Sequence, residues 1–367
     1  MRATWLNPAS RPTLARGMFA PVTICFLGTL ALAPSVHAQD AGKTPAAESG
    51  TQVVVCDLPA LPLPFAQAED GRFPAIWPRP DAPEEAGQPA YDLRVTALAV
   101  LAMLADGSTL RSGPHKVPLR TAVVWLRAQL DERGRLALST APHWILDHAI
   151  GTYALCEAAR QSRYRTLRPS VGIAIKSLVE HLRHLRRDVD PELLLWTRMI
   201  ARAAVVFARD LRDEARTSPQ PRPDFDAAGL EAEVARLVTR AIPGDARQRA
   251  ARYLLEDLAG EAADVDLRAE LATPFAADRW PDDTVDPLTM LYAYAALYRS
   301  GGEPWQKVTR RLTERLVKTQ RSGGTVPSTW DPDGEFGAQH GRNGATAVHS
   351  LVLMLYYRYC ALDLVRV

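Results

Sequence analysis

Residues 303–319, EPWQKVTRRLTERLVKT, and residues 344–362, GATAVHSLVLMLYYRYCAL, decide the fold between them. In the first, Trp305, Val308, Leu312 and Leu316 recur at three- and four-residue spacing among Lys, Arg and Glu. Such a helix turns one apolar stripe to a core and its other face to water. Pro304 suits a first helical turn, where its missing N–H would have had no intrahelical partner. The second segment is apolar nearly all round, which predicts a helix covered on most sides.

Both kinds recur upstream. In residues 168–187, Val171, Ala174, Ile175, Leu178, Leu182 and Leu185 share one face, and Lys176, Glu180, Arg183 and Arg187 the other. Segments 92–105, 147–159 and 286–298 are of the covered kind. Ala97 and Ala149 lie 52 residues apart, and Leu288 and Thr346 lie 58 apart. Self-similarity at that period, built from helical pairs, points to a repeat in which covered helices alternate with surface helices. No alternating stretch is long enough to predict a sheet. After the break Thr217-Ser218-Pro219-Gln220-Pro221-Arg222-Pro223, residues 226–241 and 244–260 are richer in charge. They read as two further repeat helices or as an excursion at the rim.

The N-terminus has another texture. Residues 1–38 hold Arg2, Arg11 and Arg16 with no acid, then the apolar run Met18 to Ala33, then Pro34-Ser35-Val36-His37-Ala38. This order predicts a secretory signal peptide cut before Gln39, and hence a periplasmic or secreted protein with no stable membrane span after cleavage. Nine prolines in residues 39–90 exclude helix interiors and predict a linker or an extended segment draped over the body. The folded domain is then 91–367. The full chain of 367 residues carries 44 Lys and Arg against 42 Asp and Glu, a net charge of +2, and the exported form carries −1. That balance excludes the basic footprint of a nucleic-acid binder and the composition of a disordered chain. Four cysteines are too few for a disulfide-built scaffold. Cys56, Cys156 and Cys360 remain after cleavage and read as free or buried thiols, with one disulfide among the three as the alternative in an oxidising compartment.

At the hairpin TAVVWLRAQLDERGRL (121–136) and LDHAIGTYALCEAARQS (146–162), the chain resembles the prenyltransferase and squalene-cyclase repeat. The stretch LTERLVKTQRSGG, followed by STWDPDGEFGAQHGRNGATAVHSLVLMLYYRY, resembles the last repeat of exported bacterial proteins with a terpenoid-cyclase-like toroid. Gln320, Gly323 or Gly324 and Trp330 look like a stretched form of that family's Gln-Gly-Trp turn, in which the Gln bonds helix-end backbone groups under the aromatic ring. The resemblance implies an all-α fold, an α/α toroid of paired inner and outer helices, about ten to twelve in number. It implies no particular activity. The cyclases' Asp-x-Asp-Asp acid is not matched by Trp280-Pro281-Asp282-Asp283-Thr284-Val285-Asp286, and the Asp-x-Cys zinc motif and the Cys-Gly-Glu-Gln thioester motif are absent. No cofactor and no metal are expected.

Several residues are candidates for contact with a ligand. Asp147 and His148 open a covered helix beside His143 and Trp144, either as an acid–base pair at a cavity mouth or as a helix start with a packed imidazole. Asp282, Asp283 and Asp286 precede another covered helix, as clustered carboxylates or as caps. His340, Arg342 and Asn343 lie in GAQHGRNG (337–344), a polar loop that could hold an anion or simply turn the chain. Tyr292, with Tyr294, Tyr298, Tyr356, Tyr357 and Tyr359, offers an aromatic lining or a packed core. His181 and His184 have metal-like spacing but stand among arginines. Asp331-Pro332-Asp333-Gly334 lacks the acids of a calcium loop and reads as a turn. These residues point to a non-catalytic binding or scaffolding protein of the cell envelope, meeting a small molecule or peptide at one mouth of a toroid. The alternative is an enzyme acting on an isoprenoid lipid or a glycan in the central cavity.

Overall fold

The computed structural model describes residues 63–77, 87–136, 143–186, 188–215, 226–240, 244–260, 271–272, 285–323 and 327–357. Every described residue belongs to one compact unit. The expected signal peptide, most of the Pro-rich segment, Asp282, Asp283, Cys56, Cys360 and Tyr359 lie outside the described residues.

The described chain is all-helical, with no strand among the described residues. Ten α-helices follow in order among these residues: α1 Asp92–Ala105, α2 Lys116–Ala128, α3 Trp144–Ser162, α4 Arg168–His184, α5 Pro191–Ala215, α6 Ala227–Leu237, α7 Ala246–Ala259, α8 Pro287–Ser300, α9 Gly302–Thr319 and α10 Gly334–Tyr357. Capping explains several starts. Asp226, Asp245 and Asp286 each accept the amide three residues on, at 2.8, 2.8 and 2.9 Å, so each satisfies a helix-end donor that has no partner within the helix. Asp286 is followed by Pro287 at the first position of α8, which makes it a cap. α7 stops at Gly260, whose φ of 77° is left-handed.

Burial separates the helices into the two kinds expected. Most described side chains of α1, α3 and α8 are buried, whereas α2 buries only Leu119, Ala122, Val123 and Leu126, and α9 only Val308, Thr309, Leu312 and Leu316. The covered helices pack in sequence: α1 on α3, α3 on α5, α5 on α7, α7 on α8, α8 on α10, and α10 back on α1. The surface helices lie against that series, α2 on α1 and α3, α4 on α3 and α6, α6 on α5, and α9 on α8 and α10. Of the two charged central helices, α6 therefore joins the surface series and α7 the covered one.

The turn between α9 and α10 differs in detail from the Gln-Gly-Trp turn of the repeat that the sequence resembles. The side chain that reaches the end of α9 is that of Trp330, not of Gln320: its indole Nε1–H donates to the Leu316 carbonyl at 2.9 Å, which also accepts the Gln320 amide. Gln320 instead donates to the Ser328 carbonyl at 2.8 Å, and so closes the turn across its base. The expected loop 337–344 is helical. α10 begins at Gly334 and breaks only at Gly341, whose φ of 60° and ψ of −166° suit a residue without a side chain. Gly337 allows the close approach of that first turn, since a Cβ there would lie 2.0 Å from the Pro332 carbonyl carbon.

Residues 63–77 are non-helical and bury Leu63, Ala66, Phe73, Ala75 and Trp77. They are held by side chains of α1 and α10. Asp92 accepts the Ala75 amide at 2.8 Å and Thr96 accepts the Phe73 amide at 3.0 Å. Asn343 donates to the Ala66 and Pro74 carbonyls, both at 2.9 Å, and accepts the Ala66 amide at 3.1 Å. Truncating this amide strands three buried backbone partners, at about 1–3 kcal/mol each. Asn343→Ala is expected to raise the rate of proteolytic cleavage within 63–77 about tenfold or more. Unchanged cleavage would show that the apolar side chains alone hold the segment.

Candidate functional site

Among the charged residues of the covered helices, one group gathers at their N-terminal ends. Arg94 is the third residue of α1, Asp147 the fourth of α3, Glu192 the second of α5 and Arg247 the second of α7. Tyr292 is in the second turn of α8, and His340 immediately precedes the break in α10. These groups belong to the N-terminal turns of helices that pack side by side, so the packing brings them together.

Two linked clusters result. In one, Arg94 Nε donates to Asp147 Oδ1 at 2.6 Å, with the two residues 3% exposed each. Arg94 Nη1 lies 3.5 Å from His340 Nε2, and its guanidinium stands over the Tyr91 ring, 5.3 Å from the centroid. In the other, the Tyr292 hydroxyl donates to Glu192 Oε1 at 2.6 Å and accepts the Trp196 indole N–H at 2.9 Å. Glu192 Oε2 is 3.4 Å from Arg247 Nε, and Arg247 Nη1 is 3.9 Å from Asp286 Oδ2. Glu192 and Trp196 stand four apart on α5, hence on one face, and Tyr292 reaches both.

Burial sets the protonation states. Burial raises the Glu192 carboxyl above its ordinary range, against the pull of Arg247 and then Arg94. Burial likewise raises Asp147, with Arg94 opposing. Asp190 is raised for the same reason, opposed by the Glu192 amide that bonds it and by Arg247. The Tyr292 hydroxyl is pushed well up by burial and by the Glu192 charge. His340 is driven well down by burial and then by Arg94, so it is neutral. Its Nδ1, 3.0 Å from the Phe336 carbonyl, carries the proton, which leaves the Nε2 lone pair toward Arg94. The Phe336 and His340 rings stack at 4.1 Å.

A cleft of about 330 Å³ opens beside these groups, lined by Asp245, Arg247, Asp286, Asp333, Glu335, Phe336 and Gln339 among others. A second cleft of about 230 Å³ lies between α8, α9 and α10, against Trp330 and His349. No helix of the described residues is long and apolar enough to cross a membrane, and no group of three or more His, Cys, Asp or Glu among them is placed to hold a metal ion.

The residues singled out from sequence fare differently. Asp147 and His148 do not form a pair. Consecutive helical side chains diverge, and while Asp147 meets Arg94, the fully buried His148 accepts the Leu136 amide at its Nδ1, 3.2 Å away, on the α2–α3 connection. Arg342 and Asn343 are structural. Arg342 is buried and donates to Thr329 Oγ1 at 3.1 Å and the Trp330 carbonyl at 3.3 Å, with Asp331 Oδ1 at 2.8 Å. Asn343 holds the N-terminal segment. Their side chains bind the protein's own chain, so of the two readings of 337–344 the anion-holding one is not found. His340 and Tyr292 do belong to the cluster. Tyr294 and Tyr298 pack against Trp305 of α9, between the layers, at 4.7 and 5.0 Å. Cys156 is buried in α3.

Arg94, Glu192 and Arg247 were not among the sequence candidates. A signal for the first two existed: each is a charge in the first turn of a helix whose following residues are apolar, where an unpaired charge is costly. Arg247 stands in a helix with charges on several faces and gave no such signal. No family model, curated protein or solved structure matches this chain.

Proposed function

We propose that this chain is an exported α/α toroid of the prenyltransferase and squalene-cyclase repeat type, and that it binds a ligand at one mouth of the ring without catalysing a reaction. The pairing of covered helices, which runs from α1 through α3, α5, α7, α8 and α10 and returns to α1, supports the ring. The resemblance at 121–162 and in the last repeat supports the family, and the order of residues 1–38 supports export to the cell envelope.

One observation carries the choice of binding over chemistry. The buried groups of the two clusters that could act as acid or base are engaged with one another and shut from solvent: Asp147 with Arg94, and Glu192, 1% exposed, with Tyr292. A general acid or base must reach the proton it transfers. The ring interior beside them is filled by aromatic side chains, with Tyr153 against Trp196 at 5.7 Å and Trp196 against Tyr292 at 6.3 Å. Packing of this kind disfavours a polyene or a sugar in the centre. The open space is the cleft at the N-terminal ends of α7, α8 and α10.

The test is a thermal-shift screen of the purified exported chain against peptides, glycans and isoprenoids, followed by Arg247→Gln and Asp333→Asn. A ligand that raises the melting temperature of the parent, loses that effect in these variants and is recovered unchanged is the expected result. Turnover of the ligand, or stabilisation indifferent to both substitutions, would refute the reading. The exported chain is expected to begin at Gln39.

A further inference from the structure

The outward side of the surface helices carries a pattern that neither the core nor the mouth uses. Residues 107–130 hold Arg111, Lys116, Arg120 and Arg127 with no Asp or Glu, and residues 161–179 hold Arg163, Arg165, Arg168 and Lys176, again with none. In the full chain 44 Lys and Arg stand against 42 Asp and Glu, so this is a local excess of positive charge. The two stretches are neighbours in space, since α2 and α4 both pack on α3. Arg111 Nη2 donates to the Arg163 carbonyl at 3.2 Å, which ties the connection before α2 to the connection before α4. Gly134, in the turn after α2, lies against α4: a Cβ there would come within 2.3 Å of Ile173 Cγ2.

On α2 the cations share their face with apolar side chains. Leu119, Ala122, Val123 and Leu126 turn to the core. Val117, Arg120, Val124 and Arg127 follow one another at three- and four-residue spacing, and all four are exposed, so they form one stripe turned to solvent. Val117 is 70% exposed and Val124 67%, more than any other large apolar side chain among the described residues. Ile173 of α4 adds a third such group at 50%. The bordering acids do not cancel the charge. Asp131 is paired with Arg135 at 2.7 Å and Asp70 lies 3.5 Å from Arg72, while Glu132 and Glu180 fall outside both stretches.

A stripe of this kind can act in two ways at once. Guanidinium forks match phosphate oxygens, and branched apolar side chains gain by leaving water for the boundary between headgroups and acyl chains. A nucleic-acid backbone would use the cations and leave the valines in water. An anionic bilayer uses both. We propose that the outer face of α2, with the adjoining start of α4, is a docking surface for an anionic lipid bilayer, with Val117 and Val124 at the headgroup boundary and Arg120 and Arg127 at lipid phosphates. This surface is separate from the mouth, and no outcome of the ligand screen bears on it.

The experiment is flotation of the exported chain with two kinds of vesicle, phosphatidylcholine alone and phosphatidylcholine with about one third phosphatidylglycerol, in about 0.1 M salt. The leader is left off because its apolar run Met18 to Ala33 would itself enter lipid. Binding to the anionic vesicles is expected to be at least about a hundredfold tighter than to the neutral ones, and to fall steeply in about 1 M salt. Arg120→Gln/Arg127→Gln is expected to weaken it about tenfold or more. Val117→Ser/Val124→Ser leaves the charge unchanged and is expected to weaken it at least about threefold. Arg310→Gln/Lys318→Gln removes two exposed cations from α9 instead and is expected to bind like the parent. All six side chains are at least partly in solvent, and circular dichroism of each variant checks that the helices are kept. Equal binding to both vesicles, no binding to either, or the same loss from the α2 and α9 arginine and lysine pairs overturns the docking surface. Binding of a short DNA duplex as tight as that of the anionic vesicles, with the valine variant indifferent to both, identifies a general polyanion patch and overturns the lipid assignment.

Discussion

Arg94→Met is expected to lower the unfolding free energy by about 3–5 kcal/mol, the usual cost of leaving one partner of a buried ion pair alone. The reasoning follows the burial of Asp147. Its carboxyl is held charged against desolvation by Arg94, the only strong donor it contacts among the described residues. Removing the guanidinium strands that charge beneath α1 and α3. Arg94→Met/Asp147→Leu removes both charges and fills the space with apolar groups of similar size, so it is expected to recover most of the loss. The cost of the single substitution should also shrink in acid. Without Arg94 the Asp147 carboxyl rises further, becomes neutral at a higher pH, and no longer needs a partner. Urea unfolding of the parent and both variants at pH 7 and pH 5 measures all three effects. A single variant as stable as the parent, or a double variant no better than the single, would show that the pair is not the main support of these helix ends.

Acid should destabilise the fold through His148. Burial pushes this imidazole down to about 4, from an ordinary value of 6.5. Between those values the unfolded chain binds a proton that the folded chain refuses, so the histidine's contribution is present above about 6.5 and is lost as pH falls toward 4. The depression corresponds to about 3 kcal/mol. His148→Asn keeps an acceptor for the Leu136 amide and removes the titration, so between pH 7 and pH 4 the parent should lose about 3 kcal/mol more than the variant. The buried carboxyls Asp92, Asp147, Asp190 and Glu192 are raised and act with the opposite sign: their cost grows as pH rises through the raised values. They are common to both proteins and cancel in the difference. Parallel stability profiles for parent and variant would sink this assignment.

Both effects depend on neighbours that no local pattern announces. The helices themselves were legible. The three- and four-residue spacing of Trp305, Val308, Leu312 and Leu316 and the nearly continuous apolarity of 344–355 are properties of single segments, and helical geometry converts them directly into a half-covered and a mostly covered rod. The caps were legible for the same reason, since Asp286 acts on an amide three residues away.

The site was legible only in fragments. Tyr292 and His340 were picked out, but as an aromatic and as a loop residue, with no partner named. Asp147 and His148 read as an acid–base pair or as a helix start with a packed imidazole, and the second is found, because adjacent side chains on a helix point apart. Residues 337–344, three of them glycine, read as a polar loop that holds an anion or turns the chain; they are helical up to a break at Gly341, with Gly337 letting the chain pass against Pro332.

Residues 91–357 taken segment by segment thus contain the all-α class, the two kinds of helix and most of their ends. Only tertiary structure decides which charges meet. Arg94 finds Asp147 across 53 residues, Tyr292 finds Glu192 across 100, and His340 returns to Arg94 across 246. A helix can specify which of its faces is apolar because that depends on its own geometry. It cannot specify the partner of a charge in its first turn, because that partner stands on another helix and comes within reach only when the covered helices have packed against one another.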